Sequence, residues 1–290
     1  MGETARPLDP DALRYHEHWQ PVLDGGAQRL LDRVAGDASE LLDAPTHRPR
    51  LLDIGAGSGA LVLAAASRWP RARMVGLDAS ASMLSVAQHR AVAAGLSDDH
   101  ERMAWLVADA ATMPLDDASV DVAVSSFVLQ LVDDRKAVLS EIRRVLRPDG
   151  VFGFVTWIAE ELQVQADSEF DEAVYALKLD DSESSFSEPR SGDYESLAEA
   201  RAELVDAGFS EVALRADRLT FSWTRDAYLA FKVSFDEREL FESLSAPDRT
   251  RLKERVRERW AALPDEAFRL EAPLVSAVAR RPLGRAPGGR

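Results

Sequence analysis

Five short apolar runs separated by helical patterns constrain the fold more than any other feature of this sequence. The runs lie between Arg50 and Trp157 and are nearly continuous in apolar residues, as is typical of strands buried on both faces. They are RLLDI, RMVGL, MAWLVA, VDVAVSS and GVFGFVTW. Strands that alternate with helices build a parallel sheet with helices on both faces, so we predict a doubly wound α/β fold.

The remainder of the chain extends this sheet. Two further strands are predicted, from Glu211 to Trp223 and from Phe268 to Arg281, which gives a seven-stranded, mostly parallel, Rossmann-like sheet with a small helical cap. We predict one domain over residues 1–280, followed by a disordered tail at 281–290. Its parts are an N-terminal helical segment (1–48), a core (49–158), an acidic insertion with a strand and cap helices (159–265) and a final strand (266–280).

Capping signals predict the ends of several helices. Ser and Asp favour the first position, whereas Gly and Pro mark the end. The predicted helices run from Ser80 or Ser82 to Gly95, from Asp133 or Asp134 to Pro148–Gly150, from Tyr194 to Ala207 and from Asp248 to Leu263.

Charge and composition exclude several classes of function. The formal net charge is −15, which would repel nucleic acids and anionic membranes, and no apolar run approaches the roughly 20 residues of a membrane span. The chain has no cysteine, which excludes disulfides, thiolate metal sites and cysteine nucleophiles and favours the cytoplasm. Fourteen acidic and three basic residues lie between Glu160 and Glu203. This stretch is either a solvated insertion or a docking surface for a basic substrate or partner.

A glycine-rich loop follows the first predicted strand. In LLDIGAGSGA, Gly55, Gly57 and Gly59 lead from the strand into an apolar helix, so the backbone can approach a nucleotide-like ligand at a helix N-terminus. With Ala60, the loop also satisfies the dinucleotide fingerprint, and Asp78 lies at about the 20-residue spacing of a ribose-binding acid. An NAD-dependent oxidoreductase is therefore one hypothesis.

An acidic residue at each of three successive strand ends favours a different cofactor. Asp53 precedes the glycines, where it would repel a pyrophosphate and attract an ammonium group. Asp78 can accept hydrogen bonds from ribose hydroxyls, and Asp109 can accept one from an adenine amino group. A ligand with an amino acid part, a ribose and an adenine is S-adenosylmethionine.

These motifs together resemble the class I S-adenosylmethionine-dependent methyltransferases, in particular the small-molecule branch with the ubiquinone and menaquinone enzymes. The resemblance covers about Tyr15 to Trp157, through LLDIGAGSG, GLDASASML, VADAATMPLDDASVD, VSSFVLQLVDD and EIRRVLRPDGVFGFVTW. It implies that Tyr15 folds over the cofactor, with Trp19 either beside it or in the core. It further implies a cofactor site made of Asp53, Gly55, Ala56, Gly57, Asp78, Ala79, Met83, Asp109, Ala110 and Ser126.

The resemblance implies methyl transfer to O, C or N of a small, aromatic or apolar metabolite. The Asn/Asp-Pro-Pro-aromatic motif of amino-methylating DNA and glutamine enzymes is absent after the fourth strand. Aromatic residues after Trp157 would line the acceptor pocket or form the core under a cap. His16, His18 and Tyr228 are candidate bases, but no spacing selects one, and the two histidines make a poor metal pair. A methyltransferase-like scaffold without turnover is the other alternative, and the sequence does not predict an oligomeric state.

Overall fold

The computed structural model describes residues 8–44, 47–96, 102–160, 164–179 and 192–283. Residues 284–290 of the predicted tail at 281–290 and part of the acidic stretch lie outside these residues, as does the aromatic Phe186. In the described part of the chain, no helix is long and apolar enough to cross a membrane.

Seven strands form one sheet in the described residues, as predicted. They are β1 (Arg50–Ile54), β2 (Arg73–Asp78), β3 (Met103–Val107), β4 (Val120–Ser126), β5 (Leu146–Trp157), β6 (Ser210–Ser222) and β7 (Arg269–Arg280). Their order is β3-β2-β1-β4-β5-β7-β6. The first five strands pair in parallel, and β7 runs antiparallel to both of its neighbours. The sheet is therefore mostly parallel, and its strand order reverses between β1 and β4.

Helices cover both faces of this sheet. They are α1 (Pro10–Arg14), α2 (Gln20–Asp37), α3 (Ser39–Leu42), α4 (Ala60–Arg68), α5 (Ala81–Ala93), α6 (Arg135–Val145), α7 (Gln165–Leu177), α8 (Leu197–Asp206), α9 (Arg225–Phe231), α10 (Arg238–Ser243) and α11 (Ala246–Trp260). Consecutive strand residues point to opposite faces. Leu51 accordingly joins the apolar cluster under α2 and α4, whereas Leu52 joins the cluster under α6 and α8.

In the part of the chain that the structure describes, two π-helical turns interrupt the helical segments. One, Tyr15–Trp19, joins α1 to α2, and the other, Lys232–Asp236, follows α9 in the cap. The two turns pack against each other through aromatic rings, since Phe235 lies 6.2 Å from Trp19 and 6.4 Å from Tyr15 between ring centroids. The N-terminal segment is thereby attached to the cap.

Several predicted helix ends agree with the structure. Ser80 accepts a hydrogen bond from the Met83 N–H at the start of α5, and Gly95 follows its end with φ +69°. Asp134 caps α6 through the Ala137 N–H. Local capping chemistry is therefore sufficient to fix these ends.

Three predicted helix boundaries are wrong. The helix predicted to reach Pro148 ends at Val145, and β5 begins at Leu146, because a residue before proline favours extended backbone. Tyr194 precedes α8 rather than starting it: Ser196 is the cap, and Tyr194 forms an isolated bridge with Ile158. Helix α11 covers Ala246–Trp260 instead of 248–263, and it begins two residues earlier than predicted because Ser245 caps it.

Candidate functional site

The candidate site is a cavity of about 260 Å³ at the carboxyl ends of β1, β2 and β4. The strand order reverses between β1 and β4, and open α/β sheets bind ligands at such a switch point. Eight of the predicted site residues line the cavity. They are Tyr15, Asp53, Gly55, Ala56, Gly57, Asp78, Met83 and Ser126.

The glycine loop forms the floor of the cavity in a conformation that requires glycine. Gly55 has φ +71° and Gly57 has φ +52°, both in the left-handed region. A Cβ atom on Gly55 would lie only 2.2 Å from Cγ2 of Val128, which follows β4. The loop therefore packs closely against the chain after β4, and its backbone faces the cavity.

Asp78 at the end of β2 holds the loop in place. Its Oδ2 accepts a hydrogen bond of 2.7 Å from the Gly57 N–H, and its Oδ1 accepts one of 2.8 Å from the Ser80 N–H. A carboxylate has about four acceptor positions, so Asp78 can bind further donors from a ligand in the cavity.

Asp53 at the end of β1 is the most unusual group in the site. Its side chain is buried, and in the described residues its Oδ2 has no hydrogen-bond partner. Burial, and then the charge of nearby Asp78, raise the pKa of Asp53 to about 8. A hydrogen-bond acceptor that is buried without a donor destabilises the folded protein. The cavity therefore favours a ligand that presents a positively charged donor to Asp53.

Three predicted residues lie beside the cavity but do not line it. Asp109 and Ala110 follow β3, and Ala79 follows Asp78. The Ala108 N–H donates to the Asp78 carbonyl, which keeps the two strand ends adjacent. Asp109 is exposed, and its Oδ1 accepts a hydrogen bond from the Ala111 N–H.

The N-terminal π-helical turn covers one side of the cavity. Tyr15 is part of the lining, as predicted. Trp19, for which both a cofactor contact and a core position were open, is buried in the core, where its ring stacks on Phe231 and Phe235.

No candidate base lines the cavity. His16 Nδ1 lies 3.1 Å from the Ser58 hydroxyl, and the His18 ring lies beside Phe235. The Tyr228 hydroxyl donates to Asp167 in the cap, and burial raises the pKa of Tyr228.

The aromatic residues after Trp157 mostly form the core under the cap, with Tyr175 exposed. No group that could hold a metal ion occurs among the residues the structure describes.

The apolar end of the cavity was not predicted from the sequence. It is lined by Leu23, Ala27, Phe127, Val128 and Leu131. Phe127 has φ +57°, a strained conformation for a bulky residue, and its carbonyl accepts a hydrogen bond from Gln130 Nε2. A Cβ on Gly26 in α2 would lie 2.7 Å from the Phe127 ring. The sequence signal for the contact between α2 and Phe127 is therefore Gly26, a glycine inside an amphipathic helix.

Both a family model and individual known proteins match part of this chain to methyltransferases. Residues 52–154 match the family model described as a methyltransferase domain. The chain is 42% identical over 64 residues to the malonyl-(acyl-carrier protein) O-methyltransferase of Serratia marcescens, and 44% identical over 62 residues to a ubiquinone/menaquinone biosynthesis C-methyltransferase of Caulobacter vibrioides. These segments are 22% and 21% of this chain and 25% of each relative, so the matches span a quarter of the relatives' length.

The fold also matches a solved structure over nearly the whole chain. The crystal structure of a protein proposed to be a sarcosine dimethylglycine methyltransferase, from Galdieria sulphuraria, aligns with a TM-score of 0.54 and 19% identity. The alignment covers 94% of this chain and 99% of that one. At this identity the match concerns the fold alone.

Proposed function

We propose that the chain is a class I S-adenosylmethionine-dependent methyltransferase, which binds this cofactor in the cavity and transfers its methyl group to a small molecule. The observation that carries the proposal is the buried carboxylate of Asp53, which faces the cavity and has an oxygen without a partner in the described residues. The ammonium group of the methionine part supplies the positively charged donor that such a carboxylate favours.

The lining residues fit the other parts of the cofactor. We assign the ribose hydroxyls to Asp78 and the methionine part to Gly55, Ala56 and Gly57. Ser126 lies near the methionine amine in this assignment. Asp109 and Ala110 would hold the adenine, with Ala79 and Met83 at the ring edges. The free acceptor positions on Asp78 support the ribose assignment.

The chemistry needs alignment more than a dedicated base. The bound cofactor supplies a methyl group on a sulfonium, and an acceptor atom displaces the sulfur. The chain must hold the acceptor in line with that bond and exclude water. Leu23, Ala27 and Phe127 are suited to both tasks, because they give the cavity an apolar end beside Ser126. Tyr15 covers the same space from the N-terminal turn.

An apolar or aromatic metabolite, methylated at O, C or N, is the acceptor that this lining favours. The names of the two curated relatives refer to different acceptors, malonyl-(acyl-carrier protein) in one and a compound of ubiquinone/menaquinone biosynthesis in the other. Both match this chain only over a short segment, so neither acceptor is transferred to it. We also propose that residues 1–280 act as a single domain. A cytoplasmic location stays a prediction.

The NAD-dependent alternative is not favoured. The family model that matches residues 52–154 is a methyltransferase domain. A scaffold without turnover is not favoured either, because the glycines and the three acidic residues are all present.

Parallel titration calorimetry with S-adenosylmethionine, S-adenosylhomocysteine and NAD tests the proposal, after a check for copurified ligand. We expect binding of both adenosyl ligands with a dissociation constant of about micromolar order and no binding of NAD. Binding of NAD alone, or of neither adenosyl ligand, would overturn the proposal.

The role of Asp78 is tested by Asp78→Asn. We expect S-adenosylhomocysteine binding to weaken by about 1–3 kcal/mol, because charge-assisted hydrogen bonds to the ribose are lost. Asp43→Asn, at an exposed position away from the cavity, is the matched control and should bind like wild type. Circular dichroism of both variants verifies that the fold is kept. Unchanged affinity of Asp78→Asn would reject the ribose assignment.

A further inference from the structure

We propose that His16 is a positioning residue whose hydrogen bond to Ser58 fixes the turn Tyr15–Trp19 over the candidate cofactor cavity. The inference rests on the proposed function, because the cavity that the turn covers is the one assigned to S-adenosylmethionine. It assigns His16 a role other than the general base considered from the sequence.

The contact joins the N-terminal turn directly to the glycine loop. His16 Nδ1 and Ser58 Oγ are 3.1 Å apart, and Ser58 lies between Gly57 and Gly59 with its side chain fully buried. The Ser58 carbonyl accepts a hydrogen bond of 2.6 Å from Arg90 Nη1 on α5. Burial and the Arg90 hydrogen bond therefore hold the serine in place, which makes it a fixed point of attachment for the turn.

Because of the π-helical geometry, side chains of this one turn contact three different parts of the molecule: the cavity, the glycine loop and the cap. The Gln20 N–H donates to the Tyr15 carbonyl five residues earlier, which widens the turn. Tyr15 lines the cavity, His16 contacts the glycine loop, and Trp19 packs into the cap. Single π turns occur mostly inside α-helices and frequently at functional sites.

The cap side of the turn is attached by aromatic contacts. Trp19 stacks on Phe231 and Phe235, and Tyr15 meets Phe235 edge-on. These contacts are apolar and do not fix a hydrogen-bond geometry over the loop. The His16–Ser58 pair supplies that directional contact on the loop side, next to the position of Tyr15.

The surroundings of His16 favour its neutral form. Burial and the positive charge of Arg90 lower its pKa, while Asp24 on α2 and Glu17 on the turn itself act in the opposite direction. If the turn leaves the loop, the imidazole enters water and regains an ordinary pKa near 6.5. The covering position is therefore fully stable above about pH 6.5 and loses stability as the pH falls below it.

Two substitutions at position 16 separate hydrogen bonding from titration. His16→Phe removes the hydrogen bond, and His16→Asn places an amide where Nδ1 lies and does not titrate. Ser58→Ala removes the partner and gives a second route if His16→Phe fails to fold. His89→Asn is the matched control, because His89 is exposed on α5 beside Arg90.

Two readouts are measured on the full chain. The first is amide hydrogen exchange of residues 15–19 without ligand, where we expect about fivefold faster exchange in His16→Phe and Ser58→Ala. The second is S-adenosylhomocysteine affinity at pH 7.5 and 5.5, where we expect about fivefold weaker binding in the same two variants at pH 7.5. His16→Asn should stay within about twofold of wild type at pH 7.5 and bind more tightly than wild type at pH 5.5.

The outcomes distinguish this proposal from the proposed function. The pH dependence from Asp53 is common to wild type and His16→Asn, so it cancels in the ratio of their dissociation constants. Wild-type binding together with unchanged exchange and affinity in His16→Phe would overturn the role of His16. Absence of S-adenosylhomocysteine binding in wild type overturns the proposed function instead, and the exchange rates of the ligand-free variants still decide whether His16 fixes the turn.

Discussion

At the scale of single residues, the most direct prediction concerns proton release by Asp53 when the ligand binds. Its pKa of about 8 without ligand means that it is mostly protonated at pH 7. An ammonium group beside it favours the ionised form, so binding of S-adenosylhomocysteine should release close to one proton at pH 7. For the same reason, the affinity should rise with pH up to about pH 8.

Calorimetry in two buffers with different ionisation enthalpies measures this proton release. Asp53→Asn, which has nearly the same volume, should bind more weakly and release no proton. The Asp43→Asn control should release as many protons as wild type. If wild type binds without releasing a proton, the pairing of Asp53 with the ammonium group is wrong.

The residues that could be predicted from the sequence are those with a local signal. Asp53, Gly55, Gly57 and Asp78 stand at strand ends or in a glycine loop, and all of them line the cavity. Phe127 could not be predicted, because its φ of +57° depends on packing between distant segments. Asp109, which does not line the cavity, acts as a turn residue, because its Oδ1 accepts a hydrogen bond from the Ala111 N–H.

At the scale of elements, the second π turn depends on a buried charge. Lys232 has no exposed surface and bonds to Asp236 at 2.5 Å, and Asp167 and Glu237 each lie 3.2 Å from its Nζ. The surrounding acids outweigh burial and raise the pKa of Lys232, whereas burial raises the pKa of Asp236 to about 6. The ammonium group therefore holds α7 and the turn Lys232–Asp236 together.

Lys232→Met should destabilise the protein by about 3–5 kcal/mol, because the acids would be left buried without a cation. Urea unfolding at pH 7 measures this loss, and exposed Lys136→Met is the matched control. Since the folded pKa of Lys232 is raised, its contribution is complete below the ordinary value near 10.5 and declines as the pH rises above it. A loss below about 1 kcal/mol would mean that the cluster is not a buried ionic contact.

The ends of helices and strands could be predicted where an apolar run or a capping residue marks them in the sequence. The ends of β1 and β4 agree with the apolar runs, and Ser80 and Asp134 cap the predicted helices. Helical periodicity continued past Val145, but the pairing of Leu146 with Val120 extends β5 instead. The π turns could not be predicted, because their sequence is compatible with an ordinary α-helix and tertiary packing decides between the two.

At the scale of the whole molecule, the C-terminal strands join the cap to the core. β7 pairs with β5 from Val151 to Trp157 and with β6 on its other side. One apolar cluster contains residues of the N-terminal helix, the sheet and the cap, such as Leu30, Leu51 and Trp260. Neither the antiparallel position of β7 nor this continuity follows from hydrophobic periodicity, because both depend on contacts between distant segments.

Because the N-terminal helix, the sheet and the cap share one apolar cluster, we predict a single unfolding transition. Tryptophan fluorescence reports partly on the cap through Trp223 and Trp260, and far-ultraviolet circular dichroism reports on the whole chain. The two signals should give the same denaturant midpoint. Leu274→Ala, at a buried position of β7, should lower stability by about 2–5 kcal/mol and shift both midpoints equally. If the fluorescence midpoint alone moves, the cap unfolds independently, and the single-domain proposal for residues 1–280 is wrong.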